Sequence, residues 1–309
     1  MSTISPSRPC NLCGESTATL VHEGRDRMHP REGTYHLLRC SNCGLIFLDP
    51  LPPPEEIATF YPQEYTCFSP AQSRGRFRGL EARRGIRRLC RAVTGVAPHP
   101  GRILDVGCGT GDFLAGMRDL GWDVQGVEPN SHAAGYARTV NRLRVEERPF
   151  ADGLFAPESF DVVTLWHVLE HVPDPAQTLG ATARLLRRGG SAVITVPNVE
   201  SWDARLFGPH WAGLDVPRHL FLFPREVLRR YLEEAHLVYT RDACVTGGTG
   251  GLITSLRFWT AAWPGPRGLR GAATQLIGSL PIRLVAWPYG LAGRLTTRGS
   301  FITVFARRP

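Results

Sequence analysis

The stretch Gly101-Arg-Ile-Leu-Asp-Val-Gly-Cys-Gly-Thr-Gly-Asp-Phe113 decides how this chain folds. Ile103 to Val106 is an apolar run broken by Asp105, the pattern of a buried parallel strand. Gly107, Gly109 and Gly111 follow as a tight loop, and Asp112 to Leu120 reads as a helix. A glycine-rich loop between strand and helix lets backbone N–H groups approach a ligand that side chains would hold off. The glycine spacing selects the ligand. Pyrophosphate binders want G-x-G-x-x-G, whereas this loop is G-x-G-x-G with an acid two residues before its first glycine. An acid there suits a ligand that brings no phosphate and carries a cationic amino group.

Working outward, Asp123 to Val127 reads as the next strand, and Glu128 stands at its carboxyl end. Ligands of open α/β sheets bind outside the carboxyl ends of strands, where an acid can take both ribose hydroxyls. Asp105, the glycines and Glu128 together resemble the class I S-adenosylmethionine-dependent methyltransferases, whose signature is a strand, D-x-G-x-G-x-G, and an acid ending the next strand. The resemblance implies an α/β fold: a doubly wound, Rossmann-like seven-stranded sheet with an antiparallel last strand. It implies S-adenosylmethionine as cofactor, held by Asp105, Gly107, Gly109, Gly111 and Glu128.

Further along, Asn130 to Val140 reads as a helix capped by Asn130 or Ser131, Arg142 to Glu146 as a short strand, and Phe160 to Trp166 as a buried one. Glu147 to Phe155 lacks the Asp that many members of the family set against the adenine amino group. A Trp and two His near a strand end are, taken alone, more often packing residues than catalysts. His167-Val-Leu-Glu-His171-Val-Pro-Asp-Pro175, however, is similar to the VLEHVPDP segment of quinone-type and sugar-type methyltransferases. That likeness implies that Trp166 lies against the cofactor, that His167 faces the pocket, and that His171 tethers the loop. Ala176 to Arg188 reads as a helix closed by Gly189-Gly190, and Ser191 to Val196 as the fifth strand.

Glu200 to Phe223 reads as a helix-poor loop at the ligand edge, and its aromatics, with Asp215 and two histidines, suit an acceptor site better than a core. Asp215-Val-Pro-Arg-His-Leu-Phe-Leu-Phe223 resembles a P-R-H-L-x-x-F segment of ribbon-bearing methyltransferases of glycan and lipid pathways. His219 is the expected general base, because an unperturbed imidazole titrates near neutral pH; its plain alternative is a capping or packing residue. Arg225 to Ala235 is the next helix, Leu237 to Val245 the sixth strand, and Ser300 to Ala306 the last. Residues 246–299 intervene as an insertion, apolar but broken by Pro281, Arg283 and Pro288, too interrupted to span a bilayer. It reads either as an interfacial or substrate-covering segment or as an added helical pair packed on the core.

At the amino terminus, Cys10-Asn-Leu-Cys13-Gly14 and Cys40-Ser-Asn-Cys43-Gly44 are two C-x-x-C-G knuckles, the spacing of a zinc ribbon. Cys10, Cys13, Cys40 and Cys43 already close a tetrahedral site, so the Zn2+ is structural. The expected organisation is a zinc ribbon over 1–50, a lid and basic linker helix over 51–98, and a methyltransferase domain over 99–309. Relatives with this ribbon carry a tyrosine-rich segment over the cofactor, which makes Tyr61 and Tyr65 lid candidates; packing at a domain junction is the alternative. Arg74 to Arg91 holds eight arginines against Glu81. It reads as a solvated face of a helix or as a phosphate-attracting one.

The composition bounds these readings. The chain of 309 residues carries a formal charge of +8, with 42% hydrophobic and 21% charged residues, which is globular and not disordered. It contains no lysine, so its basic residues are all arginine and say more about codon usage than about partners. Met1 to Pro9 has no apolar leader pattern, and the eight cysteines favour metal or free thiol over disulfides. A cytoplasmic enzyme of cell-envelope or natural-product biosynthesis is expected, with peripheral membrane contact through 246–299. Its acceptor is expected to be a small molecule, a sugar or glycan, or a lipid-linked headgroup, with O-methylation favoured over C-methylation. An RNA methyltransferase using the ribbon and basic helix is the alternative, although Leu165-Trp-His-Val168 stands where a base-methylating tetrad belongs. A non-catalytic binding protein with the same fold is the third reading.

Overall fold

The computed structural model describes residues 3–29, 31–61, 75–246, 249–277 and 279–309. The chain divides into two compact units, one made of 1–53, 196–228 and 242–303, the other of 54–195, 229–241 and 304–309.

The chain begins with four short strands, β1 (Thr3–Ile4), β2 (Ala18–Gly24), β3 (Tyr35–Cys40) and β4 (Ile46–Asp49), paired antiparallel in sequence order. The helices α1 (Pro54–Thr59) and α2 (Gly75–Thr94) follow. Strands and helices then alternate: β5 (Arg102–Val106), α3 (Asp112–Asp119), β6 (Asp123–Val127), α4 (Ser131–Thr139), β7 (Val145–Glu146), β8 (Phe160–Trp166), α5 (Pro175–Leu185) and β9 (Leu186–Pro197). Next come α6 (Trp202–Phe207), β10 (Phe221–Leu222), α7 (Arg225–Glu234) and β11 (Val238–Ala243). Finally α8 (Gly250–Ala262), α9 (Arg267–Ile277) and α10 (Leu280–Leu295) precede β12 (Phe301–Arg307).

The large sheet runs β11-β12-β9-β8-β5-β6-β7, with an antiparallel last strand, as the sequence led one to expect. Its central pairs are parallel, and both neighbours of β5 are reached by crossovers, β6 on one side and β8 on the other. The strand order therefore reverses at β5, and the loop after β5 opens where ligands of such sheets bind. Parallel strands covered on both faces need unbroken apolar runs. Ile103, Leu104, Val162, Val163, Val193 and Ile194 supply them, each fully buried. Asp105 is the exception within β5, a buried acid at the strand's end.

Two elements depart from the sequence reading. The helix expected to run through Arg188 stops at Leu185, and β9 begins at once. Leu186 pairs with Phe160, while Gly189 N–H and Gly190 O bond Arg308, so long-range strand pairing overrides local helix propensity. The segment 200–223 is not a helix-poor loop: it contains α6, two short 3-10 turns and β10. Trp211, Phe207 and Leu220 to Phe223 are interior residues there.

Burial of Phe221 and Leu222 has a specific cause. They pair with Phe47 and Ile46, making β10 the fifth strand of the amino-terminal sheet, in the order β1-β2-β3-β4-β10. In the other unit, α2 lays Ile86 and Cys90 on Gly116 of α3, where any Cβ would meet them at 3.2 and 3.1 Å. Arg83, Arg84, Arg87 and Arg91 of α2 face outward. The insertion, for which a helical pair was one of the two readings, contains three helices, with Pro288 inside α10. Among the described residues no helix is long and apolar enough to cross a membrane.

Candidate active site

β5 ends by burying Asp105, whose Oδ1 accepts a 2.6 Å hydrogen bond from Thr164 Oγ1 on β8. Burial pushes the Asp105 carboxyl up to about 8, against the pull of the Thr164 hydroxyl and with some help from Glu128. A buried acid with one neutral partner is an electrostatic deficit that a cation would fill.

The loop that follows is tied down by backbone bonds. Gly107 N–H and Cys108 N–H both donate to Val127 O, at 2.8 and 3.1 Å. Glu128, at the end of β6, accepts from Gly109 N–H on one oxygen and from Asn130 N–H on the other, each at 2.8 Å. Burial raises the Glu128 pKa, and these two amides oppose it. The glycines differ in what they permit. A Cβ on Gly111 would strike Leu143 at 2.3 Å, so packing excludes one. At Gly109, with φ +54°, nothing lies within 4 Å of the Cβ position, so the backbone itself borders open space. This is a cradle that a side chain would fill.

Trp166 at the end of β8 meets Phe113 edge to face, with centroids 5.4 Å apart. Its indole Nε1 is buried and has no acceptor among the described residues. A buried N–H in that state is costly and marks a place for an acceptor group. The next residue, His167, adopts φ +58°, donates its N–H to Thr195 O at 3.0 Å, and sets Nδ1 3.6 Å from Glu170 Oε1. His171 Nδ1 lies 2.9 Å from the Tyr61 hydroxyl, the rings meeting edge to face. The structure thus pairs Tyr61 with His171, the residue expected to tether the loop, while Tyr65 lies outside the described residues. Two carboxyls, a bare backbone cradle and an unpaired indole N–H within one unit fit a cationic nucleoside such as S-adenosylmethionine.

In the other unit, Cys10, Cys13, Cys40 and Cys43 bring their sulfurs within 4.8 Å of one another. Cys10 to Cys43 and Cys13 to Cys40 are each 3.5 Å, near the roughly 3.8 Å edge of a tetrahedron with about 2.3 Å metal–sulfur bonds. Gly14 and Gly44 take positive φ and return their N–H groups to Cys10 O and Cys40 O, closing both knuckles. Burial works against the Cys13 thiolate, yet the Glu15 amide and neighbouring thiols bring that thiol down to about 7; burial lifts Cys10 to about 11. The cluster is compatible with a bound zinc ion.

His219 is buried in that unit and its Nδ1 lies 2.8 Å from Gly213 O. A carbonyl only accepts, so Nδ1 carries the proton and Nε2, 3.9 Å from Asp215 Oδ2, is the basic nitrogen of the neutral ring. Its neighbour Arg218 is wholly buried between Asp26 and Asp215. The sequence placed Arg218 in an acceptor loop and passed over Asp26; 192 positions separate the pair and no local pattern joins them. His210 sits lower in pKa than usual, from burial and the charge of Arg27.

A family model described as a methyltransferase domain matches residues 75–241, more than half of the chain. The ubiquinone biosynthesis O-methyltransferase of Aromatoleum aromaticum is 35% identical over 150 residues, covering 44% of this chain and 63% of that protein. Its counterpart in Paraburkholderia phymatum is 33% identical over 127 residues, covering 38% and 54%. The chain thus spans between about half and 63% of these relatives' length. Among solved structures, the 1,6-didemethyltoxoflavin-N1-methyltransferase of Burkholderia thailandensis, with bound S-adenosylhomocysteine, superposes with a TM-score of 0.51 at 17% identity, covering 91% of this chain and 98% of that one. That likeness speaks to the fold alone. With the strand order, the cradle after β5 and the family match in agreement, the chain belongs to the methyltransferase domain family and has the fold of its class I, S-adenosylmethionine-dependent members.

Proposed function

We propose that the protein transfers a methyl group from S-adenosylmethionine to an oxygen of a small-molecule acceptor. The observation that carries this is the Asp105–Gly109–Glu128 arrangement at the reversal point of the sheet, joined to relatives named as quinone-pathway O-methyltransferases. S-adenosylmethionine supplies an already activated methyl on a cationic sulfonium, so the protein's task is chiefly to orient. Asp105 would answer the ligand's amino group and Glu128 its ribose hydroxyls. Gly107, Gly109 and Gly111 would bring backbone against it, and the Trp166 indole N–H would find its acceptor there. Tyr61 and Tyr65 belong to the segment proposed to close over the ligand.

His219 is proposed as the base that takes the acceptor's proton, supported by the Gly213 carbonyl that fixes its tautomer; His167 is the second candidate. Zn2+ is proposed at the four cysteines of the ribbon, 1–50, where it holds the fold and takes no part in the transfer. The segment 51–98 serves as lid and linker, and 99–309 as the methyltransferase domain. A glycan or lipid-linked acceptor, met at the inner face of the membrane through 246–299, is the finer part of the proposal. It is supported by exposed Trp259, Trp263, Val285 and Trp287 in a stretch that holds arginines and no acid.

The test feeds labelled S-adenosylmethionine to the enzyme with separated host lipid, sugar-nucleotide, small-phenol and RNA fractions. Label in a small-molecule or lipid fraction is expected; label in RNA alone would overturn the reading.

A further inference from the structure

The helices of the insertion form an open groove that the methyl-transfer reading does not use. A cavity of about 610 Å³ opens between α8 and α9, lined by Arg257 and Ala261 from one helix and Arg270, Gly271, Thr274 and Gln275 from the other. The spacing explains why these residues converge: 257 and 261 are one turn apart on α8, as are 270 and 274, and 271 and 275, on α9. Gly271 keeps the α9 wall low, since nothing lies within 4 Å of its Cβ position.

Among the described residues no acid is paired with either arginine of this groove. The Arg257 Nε has no hydrogen-bond partner among the described residues, and it is sealed from solvent. Arg270 is held by two backbone carbonyls at the end of α8, those of Ala261 at 3.2 Å and Trp263 at 3.4 Å. Those bonds fix the guanidinium without neutralising it. No Asp or Glu occurs anywhere from 246 to 299, so the insertion contains no acid of its own to answer either arginine. A buried donor of a charged group costs free energy until an acceptor reaches it. Thr274 Oγ1 is committed to Arg270 O, which leaves the Gln275 amide as the neutral polar group of the wall.

We infer that the groove between α8 and α9 binds a phosphate group, with Arg257 and Arg270 as its two cationic partners. Guanidinium pairs suit tetrahedral, multiply charged oxyanions because each presents a planar fork of donors. The cavity is larger than inorganic phosphate needs, and Ala261 and Gly271 line it without polar groups. A phosphate ester with an apolar substituent therefore fits better than the bare ion. Such an ester could be a phospholipid headgroup or a soluble phosphorylated compound. The site does not depend on what the methyl acceptor is.

Calorimetry of the full chain with pyrophosphate and with a short-chain phosphatidate below its micelle concentration tests the site, alongside flotation with vesicles of phosphatidate or of phosphatidylcholine. The wild-type protein is expected to bind both soluble probes, and R257Q and R270Q each to weaken them by at least tenfold, with S-adenosylhomocysteine affinity unchanged. Q275E, which adds a carboxylate to the wall without removing a held group, is expected to weaken them as much; it guards against a misfolded arginine variant. Tighter binding of phosphatidate in both assays would assign the lipid source, and preference for pyrophosphate the soluble one. No binding by the wild type, or equal binding by all three variants, would overturn the site.

Discussion

Arg218 and Asp26 form a two-pronged ion pair in the interior of their unit, Nη1 to Oδ2 at 2.7 Å and Nη2 to Oδ1 at 2.8 Å, with neither side chain exposed. Asp215 accepts from the remaining edge of the same guanidinium, at 2.6 and 3.1 Å. Asp26 lies between β2 and β3, and Arg218 precedes β10, the strand added to their sheet. The pair thus fixes, by charge, the same junction that β4 and β10 fix by backbone bonds.

Removing one partner of a buried pair leaves the other uncompensated, which costs about 3–5 kcal/mol. Asp26→Ala should lower the denaturant midpoint of the full chain accordingly, read by urea titration. Burial opposes the Asp26 charge, but Arg218 holds its carboxyl below the usual range. A depressed acid contributes stability that is present above the unfolded pKa, near 3.8, and is lost as pH falls through the folded value. The wild-type advantage over Asp26→Ala should therefore shrink only below about pH 4. An advantage that disappears between pH 5 and 7 would contradict this account.

Asp105 has the opposite sign. Its folded pKa is raised from 3.8 to about 8, so ionising it in the ligand-free fold is unfavourable, and stability is lost as pH rises across that window. Asp105→Asn keeps the shape and removes the charge. It should melt higher than wild type at pH 8 and no differently near pH 4, while S-adenosylmethionine affinity falls ~10–100-fold, the worth of a charge-assisted hydrogen bond. Full affinity in the folded variant would remove Asp105 from the cofactor site.

The sulfur geometry of Cys10, Cys13, Cys40 and Cys43 calls for one zinc per chain. Elemental analysis after mild dialysis should find it, and Cys40→Ser should lose it together with the cooperative unfolding of the amino-terminal sheet. Reduced protein that is folded and metal-free would end the ribbon assignment.

His219→Ala should cut the turnover rate by ~10²–10⁴-fold, the usual range for a general base, with cofactor affinity nearly unchanged. Added imidazole should restore part of the rate. If the variant unfolds or loses the cofactor, His219 is a packing residue; if it turns over normally, His167 becomes the candidate.

The exposed tryptophans of the insertion should bring the protein to anionic vesicles at low salt. Flotation should fail for Trp287→Ser combined with Trp259→Ser, whose side chains are more than half exposed. Wild-type protein that never floats would leave the insertion as a packed helical layer.

How far the sequence reaches follows from the range over which each signal acts. The central parallel strands, the glycine loop and the two buried acids at the ends of β5 and β6 were legible because each is written within about ten consecutive residues. Apolar runs of strand length, glycines at fixed spacing and an acid at a strand's end need no knowledge of distant chain. The cysteine knuckles are legible for the same reason, each pair lying within a single turn. What only tertiary structure decided depends on partners far apart in sequence. Helix α5 gave way to β9 because Leu186 found Phe160 and Gly189 found Arg308. Phe221 and Leu222, just after His219, became interior because they paired with β4. Arg218 reads alone as part of an acceptor loop, and its burial is tolerable only because Asp26 and Asp215 meet it there. The two arginines of the α8–α9 groove likewise gain their meaning from a turn that sets them on facing walls. Local pattern specifies which residues a strand or loop presents, and the long-range pairing of charges and strands decides what they face.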